Sequence, residues 1–153
     1  MGLDRTDFAI LDALQNDARV SNKELAARVG LAPSSCLVRV RKLVRGKALR
    51  GFHAEVDPEI LGVGLQAIIA VRLARHSRVT FRSFYAHVRV LPEVVQVFQV
   101  SGATDLLIHV AVRDVAHLHD LKLDRLATRS EVAHCETSLV FSLFRQPRLP
   151  CYR

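Results

Sequence analysis

The sequence predicts an α+β protein in two parts, an N-terminal winged helix-turn-helix and a C-terminal ferredoxin-like βαββαβ domain. Three observations lead there. Ser21 followed by Glu24 is a capping-box pattern that opens a short apolar helix ending at Gly30, and Pro33 opens another three residues later. After Lys47 the apolar period changes from helical spacing to alternation. From residue 65 onward, strand-like and helix-like segments follow one another in the order β-α-β-β-α-β.

The first helix is expected over residues 4–16. Asp4 is a good N-cap, Asp7 lies in the first turn where the helix dipole favours an anion, and Phe8, Leu11 and Leu14 make an apolar stripe with Ile10 beside it. Asn16-Asp17 breaks it. Val20 precedes the Ser21 cap as in a hydrophobic staple, and Leu25, Ala26 and Val29 give the second helix its apolar face. In the third helix, Cys36, Val40 and Leu43 share one face, with Leu37 and Val44 flanking it. The tri-helical core is predicted to hold Phe8, Leu11, Leu14, Leu25, Val29, Leu31, Val40 and Leu43.

The opposite face of that third helix carries the chemistry. Ser34, Val38, Arg41 and Arg45 lie there, with Ser35 and Lys42 beside them and Arg39 in the same basic run. No acidic residue occurs between Glu24 and Glu55, whereas Arg28, Arg39, Arg41, Lys42, Arg45, Lys47 and Arg50 all fall in that interval. A charge run is usually a solvated face. This one has a single sign, starts with small hydroxyl residues and follows a capped partner helix, which suits entry into a major groove, with Arg and Lys meeting phosphates and guanines. The expected partner is double-stranded DNA, and the expected contacts are Ser34, Ser35, Val38, Arg39, Arg41, Lys42 and Arg45.

Composition agrees with an anionic partner: the 153 residues carry 22 Lys/Arg against 15 Asp/Glu, a formal net charge of +7. No apolar run reaches the roughly 18 residues of a membrane span, and the N-terminus lacks the pattern of a signal peptide. Cys36, Cys135 and Cys151 are odd in number and widely spaced, so neither a disulfide framework nor a zinc site is suggested. The chain reads as cytoplasmic, without membrane association, metal or cofactor.

Residues 49–56 alternate apolar and polar and are expected as an extended strand, serving as wing and connector. Asp57-Pro58 starts a turn, and Gly62 and Gly64 bracket a joint. The expected organisation is therefore a DNA-binding domain over 1–56, a linker over 57–64, an effector-binding and oligomerisation domain over 65–146, and a tail over 147–153. Within the second domain, strands are expected over 65–74, 94–100, 105–112 and 132–144, and helices over 79–90 and 114–127. Val115, Leu118, Leu121 and Leu126 are placed inward. Two helices cover one sheet face. The other is expected to be apolar, from VVQVFQV and TSLVFSLF, and to drive self-association.

The order of parts and the residues together resemble the Lrp/AsnC family of feast/famine transcriptional regulators. The resemblance covers nearly the whole chain. It rests on LDRTDFAILDALQNDARVSNKELAARVGLAPSSCLVRVRKL, on GFHAEVDPEILG, and on VSGATDLLIHVAVRD, which is similar to the family's glycine-x-x-aspartate turn and the strand after it. It implies regulation of amino-acid metabolism by dimers that form through the αβ sheets and often assemble further, commonly into octamers. It also implies a small effector, usually an amino acid, bound between subunits near that turn. On this chain the motif falls on Gly102 and Asp105 with Ala103 and Thr104 between them, and Thr137 stands where the family favours threonine near the start of the last strand. Two departures matter. Thr104 replaces a frequent aromatic, which predicts a more open pocket or more polar effectors. Gly46-Lys47 replaces an acidic residue followed by glycine, which predicts a helix exit displaced by one residue.

Other readings compete. Gly102 and Asp105 also suit plain hairpin geometry. His117 and His119 are two apart and share no helix face as metal ligands would. His134 and Cys135 are strand neighbours that point to opposite sides, so no nucleophile-base pair forms, and no catalytic residue is expected. Cys36 reads as core. An enzyme lacks any convergent acid, base or phosphate-cradling loop here. An architectural, largely sequence-indifferent DNA-packaging protein without an effector is the alternative that fits the basic charge.

Overall fold

The computed structural model describes residues 2–75, 77–146 and 148–152. Its chain divides into two compact units. One runs up to Glu55 and takes in the C-terminal segment from Phe144; the other is Val56–Leu143.

The first unit is built on three helices, α1 (Arg5–Asn16), α2 (Asn22–Arg28) and α3 (Pro33–Arg45). Each start follows from its cap. In α1 the Asp4 carboxylate accepts the Asp7 amide at 2.8 Å while Asp7 accepts the Asp4 amide at 3.2 Å. In α2 the Ser21 hydroxyl accepts the Glu24 amide at 3.2 Å and the Glu24 carboxylate accepts the Ser21 amide at 3.1 Å. The Ser21 hydroxyl, then its amide, hold the Glu24 carboxyl below its ordinary pKa. Between α2 and α3, Gly30 adopts φ 68°, and the Leu31 amide returns to the Ala26 carbonyl at 2.9 Å, the geometry of a Schellman turn.

Ile10, Cys36 and Leu43 are fully buried, with Leu14, Leu25 and Ala26 around them. The expected core differs at its edge: Phe8, Leu11, Val29, Leu31 and Val40 are only partly buried, and Ile10, placed beside the stripe, is at its centre. The expected displacement of the α3 exit is not seen: the left-handed position is still the one at which the resemblance places glycine. Gly46 keeps φ −79° and the left-handed residue is Lys47, at φ 57°, with the Ala48 amide bonded to the Leu43 carbonyl at 3.0 Å. The glycine stands one residue before the position that needs it, which leaves a non-glycine side chain in a conformation costing about 1–2 kcal/mol.

Residues 50–57 form neither helix nor strand. Alternation alone does not make a strand; a ladder partner is required, and no such partner is present for this segment among the described residues.

The second unit contains β1 (Leu65–Leu73), α4 (Arg78–Val88), β2 (Val94–Gln99), β3 (Leu106–Val112), α5 (Val115–Asp120), a π-helical segment (Leu121–Ala127) and β4 (Val132–Val140). The four strands are antiparallel in the order β2-β3-β1-β4, the ferredoxin-like arrangement. At the entry to β1, the Gly64 amide donates to the Val112 carbonyl at 3.0 Å, and a Cβ at Gly64 would overlap the Arg113 carbonyl. Alternate residues of β1 and β3 (Ala67, Ile69, Val71, Leu73; Leu106, Ile108, Val110, Val112) pack with Phe84, Val88, Leu118, Leu121 and Leu126 into one core. Glu131 joins α4 to the start of β4: it accepts from Arg129 Nη2 at 2.6 Å and from the Ser83 hydroxyl at 2.8 Å. Arg129, then Ser83, bring its carboxyl down to about 2.

Two expectations are corrected here. Val115 is 65% exposed, because the helix entered at Asp114 turns it to solvent. The apolar residues of the open sheet face also come from elsewhere. The register pairs Thr137 with Ile69 and Leu139 with Ala67, so these β4 residues share the helix-covered side, and Val97 packs against the core. Ile68, Ala70, Leu107 and Ala111 of the two central strands, all half-buried, form the apolar middle of the open face, with Phe98 and Val140 outside them. On that same face His109 is 8% exposed and its Nε2 lies 2.8 Å from the Gln66 amide oxygen. Burial pushes the His109 imidazole below its ordinary pKa.

The C-terminal segment returns to the first unit. Arg148 pairs with Asp12 at 2.6 Å, and the Leu149 amide donates to Gln15 Oε1 at 2.8 Å, both on α1.

Candidate DNA-reading helix and effector turn

In α3, the apolar face and the polar face are separated as the periodicity requires. Cys36 and Leu43 are fully buried, and burial pushes the Cys36 thiol upward in pKa, as expected for a core residue. Ser34, Ser35, Arg41, Lys42 and Arg45 are exposed on the other side, and Val38 between them is 60% exposed. The helix begins at Pro33 with no side-chain cap, so the backbone N–H groups of its first turn, together with two serine hydroxyls, form an uncapped positive end. The Asn22 side chain donates to the Pro33 carbonyl at 2.8 Å and fixes the start of α3 against the start of α2. Arg45 Nε leans back on the Arg41 carbonyl at 3.4 Å.

Arg39 stands apart from the set predicted with it. Its Nη1 donates to Asp4 Oδ2 at 2.7 Å and to Asp7 Oδ1 at 2.8 Å, and the Asp7 side chain is only 3% exposed. The Asp7 amide first, then Arg39, hold the Asp4 carboxyl below its ordinary value. This guanidinium locks α3 to the start of α1. The role escapes sequence reasoning because the partners lie 35 and 32 residues upstream, and Asp4 and Asp7 were already accounted for by the start of α1.

The turn between β2 and β3 brings Gly102, Ala103, Thr104 and Asp105 together. Gly102 has φ 121°, a conformation that L side chains rarely adopt. The hairpin closes with the Val100 amide on the Asp105 carbonyl at 3.1 Å. Asp105 is also a clasp to β1: its amide donates to the Val71 carbonyl at 2.9 Å and its carboxylate accepts the Leu73 amide at 2.7 Å. Gly102 and Ala103 are exposed, and Thr104 and Asp105 are half-buried. A cavity of about 420 Å³ opens beside Asp105, lined also by Leu73, Ser77, Arg78, Phe81, Arg82 and Gln99. Arg78 and Arg82, one turn apart at the start of α4, were not singled out from the sequence.

Thr137 is not brought to this turn within one chain. It pairs with Ile69 on the far side of β1, whereas Asp105 precedes the Leu106–Val71 pair on the other side. Its Oγ1 is buried without a hydrogen-bond partner. Among the described residues, no group of three or more His, Cys, Asp or Glu side chains could hold a metal ion, and no helix is long and apolar enough to cross a membrane.

Comparison with known proteins gives matches along both units. Residues 3–44 match the AsnC-type helix-turn-helix domain, and residues 66–149 match the Lrp/AsnC ligand binding domain. The chain is 44% identical over 143 residues to the HTH-type transcriptional regulator AldR of Mycolicibacterium smegmatis, covering 94% of this chain and 84% of that protein. It is 35% identical over 144 residues to the leucine-responsive regulatory protein of Escherichia coli, covering 94% and 88%. Among solved structures, the L-Met complex of a transcriptional regulator from Neisseria meningitidis superposes with a TM-score of 0.86 at 35% identity, covering 95% of this chain and 94% of that one.

Proposed function

We propose, since the chain belongs to the Lrp/AsnC family of transcriptional regulators, that it reads specific operator DNA through α3 and regulates genes of amino-acid metabolism in response to an amino acid. The observation that carries the DNA half is the division of α3. Its buried face and the Arg39 clamp fix the helix in the unit, and Ser34, Ser35, Val38, Arg41, Lys42 and Arg45 remain exposed for the groove. Arg39 acts by positioning that face.

The effector half rests on the turn over Gly102–Asp105. Exposed backbone at Gly102 and a carboxylate at Asp105 suit a ligand that carries both a carboxylate and an ammonium. The distance along the sheet between Thr137 and this turn within one chain suits a site shared between copies, with Thr137 supplied by another subunit of a homodimer or larger homo-oligomer. The Neisseria regulator was solved with L-Met, which supports an amino acid as the class of effector.

The test compares affinity for DNA upstream of the protein's own gene with affinity for bulk DNA in the same salt, with and without each amino acid. The regulator is expected to prefer its site by at least about a thousandfold and to change that affinity with one amino acid. Equal affinity for both DNAs, unmoved by any amino acid, identifies the architectural packaging protein instead.

A further inference from the structure

The cavity beside the effector turn carries a charge balance that an ordinary neutral amino acid does not match. Resting on the effector reading above, we infer that it takes an α-amino acid with a second carboxylate, that is, an acidic amino acid. Its charged lining groups among the described residues are two guanidinium groups, Arg78 and Arg82, and one carboxylate, Asp105, which also accepts the Leu73 amide at 2.7 Å. Among the described residues neither arginine has an ion-pair partner, and both side chains belong to exposed residues. They are spaced four apart on α4, so they lie on one face of the helix and can converge on one ligand.

A neutral amino acid offers one carboxylate and one ammonium. Its ammonium would meet Asp105 and its carboxylate one arginine, leaving the other arginine without a counter-charge. A ligand with two carboxylates and one ammonium matches both guanidinium groups, whose planar donors suit carboxylates in particular. The remaining lining has its own use. Leu73 and Phe81 supply an apolar surface for the ligand's methylenes, and Gln99 supplies an amide on the strand beside Asp105. The Ser77 hydroxyl is already occupied at the start of α4, 2.8 Å from the Thr80 hydroxyl and accepting the Thr80 amide at 3.0 Å. Selectivity among ligands therefore falls to the two arginines.

Calorimetric titration of the full chain at fixed ionic strength with glutamate, aspartate, glutamine, asparagine, alanine, leucine and methionine decides the matter. Glutamate or aspartate should bind about tenfold or more tightly than its own amide, the size of a charge-assisted hydrogen bond gained or lost. Arg78→Gln and Arg82→Gln should each remove most of that margin. An amide binding as tightly as its acid, or variants that keep the full margin, overturns the assignment. If a neutral amino acid alone binds, the effector reading survives and only the acidic class fails. If none of the seven binds, both fail.

Discussion

At the scale of single residues, the basic run on α3 is not one thing. Arg39 is committed to Asp4 and Asp7, whereas Arg41 and Arg45 point away from the protein core. Arg41→Ala is expected to cost roughly 1–3 kcal/mol on the preferred site and to relax its sequence preference. Arg45→Ala should weaken all sequences alike and lower the salt slope by about one unit. Competition binding across a salt series separates the two, and parental behaviour in both would place the reading face elsewhere. The periodicity of α3 was enough to find Cys36, Leu43 and the exposed face. It could not place Arg39, whose role depends on a contact across the fold. His109 makes a second prediction. Its pKa is depressed in the folded protein, so the unfolded chain binds more protons below the ordinary histidine value. The stabilisation from a neutral His109 is present above about pH 6.5 and is lost as pH falls below that. Urea melts over pH 5–8 should show this decline, and His109→Gln should flatten it.

At the scale of elements, the helix after β3 shows what a period can and cannot report. Leu118, Leu121 and Leu126 are all buried, although an unbroken α-helix turns residue 126 partly away from the face that holds 118. The π-helical stretch over Leu121–Ala127 widens the turn and brings Leu126, five residues after Leu121, onto the sheet, while Leu123 stays 43% exposed. Leu126→Ala should therefore cost about 2–5 kcal/mol, and Leu123→Ala no more than about 0.5 kcal/mol, by urea denaturation. Equal costs would mean that the π register is not the one in solution. The inward leucines were legible in the sequence because each is simply apolar; the π turn was not, because it leaves no composition signal. The same holds for the expected strand at 49–56. Its alternation was legible, but whether a partner strand lies alongside is not a local property. The open face was misread because pleat parity in β4 is fixed by pairing with β1, including a register shift at Arg72/Leu73.

At the scale of the whole molecule, the open face has an apolar middle, Ile68, Ala70, Leu107 and Ala111, with polar Gln66, Gln96, Arg72, His134, Glu136 and Ser138 around it. A buried apolar centre within a polar rim is the anatomy of a protein interface. A chain spanning 56–143 should accordingly dimerise in light scattering, and a monomer at tens of micromolar would remove this face from the assembly. The return of the C-terminal segment to α1 was not legible, since a short run without periodicity gives no sign of where it lies. Its consequence is one of connectivity. The chain leaves the first unit after Glu55 and re-enters it at Phe144, so the effector unit is a guest spliced into its host, not a module hung from one end. A domain joined by one thread transmits little when its own shape changes. A spliced guest is tethered at two points, and one of them, through Arg148 and Leu149, is fastened to the helix that Arg39 ties to α3.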